Sequence, residues 1–516
     1  MATKTKVSSK ASRFILLPAR GVRAVAANAS PTTSKFLVTL HKRKGRPAAK
    51  AAGAGAPTIR VIESVHDDGA KLVEMRPADV IKLHAAQPGL RIVPEVFYYP
   101  AVAPRPFPVA PPDGVSKAAK TSKSATSANT ATAAGPTITV KVVSNSGGAA
   151  IKACMVVAFT DFANRRGANG TTDAQGNAAL NLGAASVKIE RLYVYSPKGF
   201  WNGLKTNITL ATGTTIKLVP IDLAYTDALR HFYGKPVLTA GTGITVGVVD
   251  TGISPEPDLT IQGGFNAVTG EDPSDFGDNG EGHGTHVAGI IAAHGTPPTG
   301  IRGVAPGVKL RSYRVFGKNK PNASNFDILK ALDRAVADGC DLINMSLGGQ
   351  GTVDAATHDA ISNARAHGTL VFAASGNDDR IAVGAPAKDP MALAITAMGR
   401  KGTYPAASVE AGDVMAPFGT DKKNYVTSFS DIGPEVDLTA PGDGIISTFP
   451  QGYAVLDGTS MACPAAVGAA AQMLAGQTAI LALPRSQARS DAMAQFVLTK
   501  AKSLGFPAQM QGQGML

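Results

Sequence analysis

Ser460 opens a segment of small residues that predicts a helix. Asp457-Gly458-Thr459-Ser460 is followed by Met461-Ala462-Cys463-Pro464 and then by an alanine-rich run. The first backbone N–H groups of a helix are unpaired and favour developing negative charge, so this position suits a nucleophilic hydroxyl. Pro464 fits the first helical turn, where proline is tolerated. The alternative is that Thr459 or Ser460 only caps a buried helix, which is a common role for either residue type.

Two other segments supply a carboxylate and an imidazole. Asp250 follows the β-branched run 244–249, which predicts a buried parallel strand, and functional groups gather at the carboxyl ends of such strands. His283 opens a second small-residue helix after a polar, glycine-rich loop at 272–282. Taken alone, Asp250 is explained as a turn residue, and His283 with His286 as a metal-binding pair. Together with Ser460, they provide the groups that nucleophilic catalysis needs.

Four motifs, in this chain order, resemble the signature blocks of the subtilisin-like serine proteases. They are Asp250-Thr251-Gly252, His283-Gly284-Thr285-His286-Val287-Ala288-Gly289, Ala373-Ala374-Ser375-Gly376-Asn377 and Gly458-Thr459-Ser460-Met461-Ala462. The resemblance implies that Ser460 attacks a peptide carbonyl, His283 transfers the proton and Asp250 orients the imidazole. It also implies that the Asn377 amide and the backbone N–H of Ser460 bind the oxyanion. We therefore expect a serine endopeptidase.

The same resemblance implies a cleft for polypeptide substrates. One side is the edge strand Ser346, Leu347, Gly348 and Gly349, with which an extended peptide pairs. The other side is Ala374, Ser375 and Gly376, a wall of the primary specificity pocket. Because these residues are small and uncharged, we expect a broad or apolar preference for the residue before the scissile bond.

Residues 1–100 predict a basic tail and a small α+β unit. Its order of strand, helical segment, hairpin, helix and strand is ferredoxin-like. This unit is similar to the inhibitor-I9 propeptide of subtilases, which implies a self-inhibited zymogen and an intramolecular inhibitor. The alternative is a regulatory domain of the same fold that binds a small molecule. Residues 101–135 are rich in Pro and then in Ser, Thr, Ala and Lys, so they predict a flexible linker suited to maturation cleavage.

The rest of the chain predicts two further domains. Residues 136–221 show at least five short strands at regular spacing, which indicates a β-sandwich, and the turn at 170–176 resembles transthyretin-like and carboxypeptidase-regulatory domains. We expect this domain to pack or to bind an unknown partner. Residues 222–516 alternate strands and helices, which predicts a doubly wound, mostly parallel α/β sheet. An insertion at 409–424 departs from the compact family core. A catalytically dead scaffold with a partner-binding β-domain is the alternative to a protease.

The net charge of +13 is concentrated at one end of the 516-residue chain. Twelve Lys and Arg residues lie in the first 50 positions, which contain no Asp or Glu. This tail lacks the regular aromatic interleaving that stacking on bases requires, so we do not expect nucleic acid to be a partner. A basic tail that holds DNA by its charge is the alternative.

Cysteine usage and hydropathy bear on the compartment. Cys154, Cys340 and Cys463 are odd in number and widely spaced, which argues against a disulfide framework. No apolar run approaches the length of a membrane span. Residues 1–30 lack an ordinary secretory signal, so we expect synthesis in the cytoplasm. An organellar transit peptide, or an extracellular location reached by non-standard export, is the alternative.

No cofactor is required by this chemistry, and the sequence does not support a calcium site. The segment 294–300 lacks the Asn and Asp oxygens of the family's strong calcium loop. Asp272, Asp275 and Asp278 fit either a solvated acidic loop or an ion site.

Overall fold

The computed structural model describes residues 10–24, 30–45, 57–112 and 136–516. The ends of the predicted basic tail and most of the predicted linker lie outside the described residues. The domain boundaries placed after residues 100, 135 and 221 stay predictions. The first elements, in chain order, are β1 (Ser12–Pro18), α1 (Pro31–His41), β2 (Arg60–Ser64), β3 (Lys71–Met75), α2 (Pro77–Ala86), β4 (Leu90–Pro94) and β5 (Phe97–Pro100).

Four of these strands form an antiparallel sheet in the order β2-β3-β1-β4. Both helices cover one face, where Leu37, Leu40 and Leu83 are buried. The sequence predicts that one strand at 91–97 closes this unit, and that prediction is too long, since the structure has β4 and β5 as separate strands. The predicted strand divides at Pro94, which has no N–H to continue a ladder, and β5 leaves this sheet to pair elsewhere.

Seven strands follow, which we call the β module. They are β6 (Thr137–Ser144), β7 (Met155–Asp161), β8 (Arg166–Thr171), β9 (Asn177–Asn181), β10 (Ser186–Tyr195), β11 (Gly203–Ala211) and β12 (Thr215–Leu218). Two sheets, β11-β10-β7-β8 and β12-β6-β9, bury a shared apolar core that includes Val140, Val156 and Leu192. The sequence did not reveal β8 or β11, because small and polar residues replace the apolar alternation there.

The remaining residues form a larger α/β unit. Its strands are β13 (Thr245–Asp250), β14 (Ile261–Asn266), β15 (Lys309–Arg314), β16 (Ala323–Ser324), β17 (Leu342–Met345), β18 (Leu347–Gly348), β19 (Leu370–Ala374), β20 (Ala392–Arg400), β21 (Asn424–Val426), β22 (Val436–Pro441), β23 (Ile445–Phe449) and β24 (Gly452–Leu456). Its helices are α3 (Ala228–Tyr233), α4 (His283–Ala292), α5 (Asn325–Ala337), α6 (Ala355–Ala366), α7 (Thr459–Ala475), α8 (Thr478–Leu481), α9 (Gln487–Lys500) and α10 (Ala508–Gln511).

A mostly parallel sheet lies at the centre of this unit. Its order is β14-β15-β13-β17-β19-β20, with β22 parallel and β21 antiparallel beside β20. Side chains alternate between two cores. Val246 and Val248 pack with α4 and α7 on one face, whereas Val249 and Ile343 pack with α5 and α6 on the other. Both faces are therefore buried, which explains the uninterrupted apolar runs, and the predicted mostly parallel sheet is confirmed.

The β module is fixed against the α/β unit. Trp201 is buried and its ring lies 5.2 Å from that of Tyr225. The Val409 N–H donates to the carbonyl of Asn202 (3.1 Å), so the insertion that the sequence left unassigned begins at this contact. No helix among the described residues combines the length and apolar composition needed to cross a bilayer.

Candidate active site

Asp250 and His283 are hydrogen-bonded side chains. Asp250 is the last residue of β13, a strand in the interior of the sheet, and His283 is the first residue of α4. The Nδ1 of His283 lies 2.7 Å from Oδ1 of Asp250, and both side chains are buried. Gly284 makes this approach possible, because a Cβ there would lie 2.3 Å from the carbonyl oxygen of Gly252. A buried carboxylate that accepts from Nδ1 orients the ring and leaves Nε2 for chemistry.

Ser460 lies at the start of α7, which packs against α4. Its Oγ donates to the carbonyl oxygen of Ser346 (2.9 Å) and is not hydrogen-bonded to His283. Among the described residues, Nε2 of His283 has no hydrogen-bond partner. The structure thus joins the predicted carboxylate and imidazole directly and places the predicted nucleophile on a neighbouring helix terminus.

His286 belongs to the packing beneath the site. Its Nε2 lies 3.1 Å from the carbonyl oxygen of Ile445 and 3.2 Å from that of Ala454, so this nitrogen carries the proton. Burial and the nearby His283 lower the pKa of His286 to about 3, which keeps the ring neutral. The donor contacts to β23 and β24 do not fit the alternative of a metal-binding pair with His283.

The position predicted for Pro464 was wrong. It is the sixth residue of α7, beyond the first turn. Proline there cannot donate to the carbonyl four residues earlier, which is that of Ser460. The hydroxyl of Ser346 supplies the missing donor at 2.9 Å. Ser346 therefore contacts Ser460 twice, through its carbonyl and through its hydroxyl.

The Asn377 side chain is hydrogen-bonded to the helix terminus that carries Ser460. The Oδ1 of Asn377 accepts from the backbone N–H of Thr459 (2.8 Å), which fixes the amide plane. Gly376 precedes it at φ +117°, and a Cβ there would lie 2.2 Å from Oδ2 of Asp431. The backbone N–H of Ser460 donates to the carbonyl oxygen of Ala101 (3.1 Å).

Ala101 belongs to a segment of the chain that runs through the cleft. Strand β5 pairs antiparallel with β16 on one side and with β18 on the other, so it is the middle strand of three. The Ala101 N–H donates to the carbonyl of Ser346 (3.2 Å), and the Ala103 N–H to that of Asp457 (2.8 Å). Gly458 leaves room for this path, since a Cβ there would lie 2.7 Å from the Ala101 carbonyl oxygen.

Sequence reasoning missed Tyr98, the residue that anchors this segment. It is 3% exposed, and its hydroxyl donates to Oδ2 of Asp354 (2.7 Å), the N-cap of α6. The only signal was the aromatic run at 97–99, and its partner lies more than 250 residues away. The two walls of the cleft are joined through residues 384–385. Gly349 and Ala385 exchange backbone hydrogen bonds, and the Gly384 N–H donates to the carbonyl of Ser375 (3.0 Å).

The acidic loop before α4 is held by protein donors. Asp272 accepts from Ser274, Asp275 pairs with Lys318, and Asp278 accepts from the backbone of Gly280 and Gly282. No group of three or more potential metal ligands is arranged around a common point in the described ranges.

Comparison with known proteins identifies the class. The sequence model of the Subtilase family matches residues 241–515, whereas no inhibitor-I9 propeptide model matches the chain. Subtilisin BL and Subtilisin Savinase, both of Lederbergia lenta, are each 39% identical over 232 residues, which cover 45% of this chain and 76% of each relative. Alkaline elastase YaB of Bacillus sp. (strain YaB) is 40% identical over 232 residues, 45% of this chain and 54% of that protein.

The fold and these matches define a hydrolase of the serine endopeptidase class that acts on polypeptides. The chain belongs to the subtilase family, and the predicted protease is confirmed at that level.

Proposed function

We propose that this protease is made as a self-inhibited zymogen that cuts its own chain between Ala101 and Val102. In this proposal, residues up to 101 act as an intramolecular inhibitor, and the α/β unit performs the hydrolysis. The observation that carries it is the hydrogen bond from the Ser460 N–H to the Ala101 carbonyl oxygen. This carbonyl oxygen accepts from a backbone N–H at the terminus of α7, which is one of the donors that an oxyanion hole supplies.

The proposed roles follow from the positions of the side chains. Ser460 attacks the carbonyl carbon, and His283 takes its proton and later gives it to the leaving amine of Val102. Asp250 holds the imidazole tautomer through the 2.7 Å contact at Nδ1. The Asn377 amide and the Ser460 N–H stabilise the oxyanion. For the attack, the hydroxyl of Ser460 must turn from the Ser346 carbonyl to Nε2 of His283.

The pairing of β5 supports the proposed substrate mode. An extended peptide adopts the antiparallel register with Leu347 and Gly348, and Ser346 accepts from the N–H of the residue before the scissile bond. Ser346, Leu347, Gly348 and Gly349 form one wall and Ala374, Ser375 and Gly376 the other. Because Ala101 is buried there and the walls carry no charge, we propose a preference for small or apolar residues at this position.

Contacts outside the cleft support the inhibitory role of the N-terminal sheet. Arg91 forms an ion pair with Asp359 on α6. His66 contacts Asp333 on α5 at 2.8 Å, and Glu63 lies 3.9 Å from Lys330 on the same helix. These contacts and the buried Tyr98 hold the sheet on two neighbouring helices, so the first product would dissociate slowly.

The test is self-cleavage of the purified full chain, mapped by mass spectrometry. We expect a cut after Ala101 whose rate does not depend on protein concentration, followed by labelling of Ser460 with a fluorophosphonate probe. Ser460→Ala should remain intact, and the exposed control Ser186→Ala should be cut normally. A first cut at another bond, or equal trimming of Ser460→Ala, would contradict the proposal. An intact, unlabelled wild-type chain would favour the scaffold alternative.

A further inference from the structure

The segment beyond the proposed scissile bond continues along the β module. After the Ala103 contact with Asp457, the Val109 N–H donates to the carbonyl of Arg165 (2.9 Å). The Gly167 N–H then donates to the carbonyl of Ala110 (3.0 Å), and Ala110 forms a parallel bridge with Arg166. Because β8 is the edge of its sheet, residues 109–110 extend that sheet by β-augmentation.

Between these two fixed points, Arg105, an exposed residue, lines a cavity of about 690 Å³ between the β module and the α/β unit. Its guanidinium carbon lies 4.8 Å from the ring centroid of Tyr195, the last residue of β10. Tyr195 is buried and stacks on Tyr193, with the rings 6.0 Å apart and 4° from parallel. A cation over an aromatic face is attracted by the negative potential of the ring.

Carboxylates line the same cavity. Asp413 and Asp457 both face it. Burial lowers the pKa of Arg105, and the negative charge of Asp457 opposes that shift. Asp457 Oδ1 accepts from the Gly444 N–H (2.7 Å), which fixes the carboxylate in the turn that leads to Gly458. Arg165 and Arg191 of the β module and Arg380 of the α/β unit also line the cavity. Around Arg105 itself, the cavity combines the aromatic face of Tyr195 with the carboxylate of Asp457.

The residues that surround Arg105 in the cavity stay with the catalytic part after cleavage. Tyr195, Asp413 and Asp457 all follow the bond between Ala101 and Val102 in the sequence, so they remain with the catalytic part. Arg105 is the fourth residue after that bond, and Val109 is the eighth. The cavity lies on the leaving-group side of the cleft, where a second polypeptide would follow the same path.

We propose that this cavity is a substrate subsite that selects arginine at the fourth position after the scissile bond. The occupant is an extended polypeptide whose eighth and ninth residues after the bond pair with the edge of β8. This inference rests on the proposed function, since it takes the path of residues 97–110 as the path of a substrate. The β module thus acts as a specificity element of the protease.

The test uses wild-type protein that has been cut after Ala101 and has also lost residues 102–112, so that its own segment has left the cavity. The substrates are internally quenched peptides that copy residues 97–112, with Arg, Ala or Glu at the position of Arg105. At pH 8, we expect kcat/KM for the Arg peptide to exceed that for the Ala peptide about tenfold, as a partly desolvated cation–aromatic contact with a carboxylate nearby would give. The Glu peptide should also be cleaved more slowly than the Arg peptide, because Glu has no cation to place over the ring of Tyr195. Cleavage must be mapped to the Ala-Val bond.

Enzyme variants assign the preference to the cavity. Tyr195→Leu should reduce the Arg-to-Ala ratio to about one, since the aromatic face is lost. Tyr195→Phe keeps the face and should retain the ratio, as should the control Lys188→Ala, an exposed residue of the same strand. If Tyr195→Leu does not fold, the Arg-to-Ala ratio of kcat/KM measured with the wild-type protein still tests the proposed subsite.

The outcomes separate the two proposals. Equal cleavage of the three peptides overturns the subsite and leaves the zymogen proposal intact. The same holds if Arg105→Glu slows self-cleavage but the peptides show no preference, because the cavity would then serve only the protein's own segment. If the full chain is not cut after Ala101 and no peptide is cut at the Ala-Val bond, the proposed function itself fails.

Discussion

The hydroxyl of Ser346 donates a hydrogen bond of 2.9 Å to the backbone carbonyl of Ser460. That carbonyl lacks its helical donor because Pro464 occupies the position four residues later. A side chain from the substrate-pairing segment therefore completes the first turn of the helix that carries the proposed nucleophile. Ser346 therefore links the edge of the cleft directly to the residue that carries the nucleophile.

We predict that Ser346→Ala costs about 1–2 kcal/mol of unfolding free energy, because it leaves a buried carbonyl without a donor. Denaturant unfolding in the Ser460→Ala background avoids self-digestion. The matched test is Pro464→Ala, whose restored N–H can donate to the same carbonyl. We expect Ser346→Ala to cost less in that background than with proline present. Equal costs in both backgrounds would show that the hydroxyl does not replace the helical donor.

Asn377 allows the proposed oxyanion role to be separated from stability. Asn377→Asp keeps an oxygen for the Thr459 N–H but replaces the amide donor with an acceptor. We expect kcat to fall on the order of 10²–10³-fold, with little change in unfolding midpoint. Asn377→Ala should lose kcat similarly and also lower the midpoint, because Thr459 then loses its acceptor. An active Asn377→Asp protein would exclude the amide from the reaction.

Tyr98 and Tyr99 form a matched pair for testing the anchor of the inhibitory segment. Tyr98 is 3% exposed and hydrogen-bonded to Asp354, whereas Tyr99 is 50% exposed. After self-cleavage, we expect the two wild-type pieces to elute together in gel filtration. Tyr98→Ala should separate them, since truncating a buried aromatic side chain costs about 3–5 kcal/mol. Tyr99→Ala should behave as wild type, and separation by both variants would contradict the anchor role.

A buried cluster of acids predicts that stability changes with pH. Burial and mutual repulsion raise the pKa of Glu410 and Asp443, while burial raises the pKa of Asp457 to about 6 and of Asp413 to about 7. At pH 4, these groups stay largely neutral in the folded protein. As pH rises towards 7, the unfolded chain ionises freely, whereas the folded protein must bury charge, so the unfolding free energy falls.

Glu410→Gln tests this effect, because it keeps the shape and removes the charge. In the Ser460→Ala background, we expect the loss of stability between pH 4 and 7 to shrink by about 1–3 kcal/mol relative to the parent. The exposed control Glu190→Gln should leave the pH profile unchanged. Identical profiles for Glu410→Gln and its parent would show that this cluster does not set the pH dependence.

Local patterns predicted much of the α/β unit. An apolar run precedes Asp250, and small residues follow His283 and Ser460. These patterns indicate buried elements directly, so the predicted β13, α4 and α7 lie close to their observed bounds. The identity of Asp250, His283 and Ser460 as site candidates came from motifs of a few residues each. Such motifs report local geometry well because the turn, the strand end and the helix start are all short-range features.

Contacts between distant segments could not be read in this way. The donor role of Ser346, the pairing of Tyr98 with Asp354 and the meeting of Arg105 with Tyr195 each depend on the tertiary arrangement. Strand β8 gave no signal because its stability comes from its neighbour β7 and not from its own side chains. Proline in a helix was misplaced because the compensating hydroxyl lies more than 100 residues away.

The attachment of residues 109–110 to the edge of β8 gives the first cut a geometric consequence. The new amino terminus at Val102 would lie only seven residues from that attachment, so it could move no more than about 25 Å away from it. It would therefore keep returning to the cleft at high effective concentration and compete with incoming chains. Full activity would then require a second cleavage of the chain, or dissociation of residues 109–110 from the edge of β8. Activation would therefore take two steps.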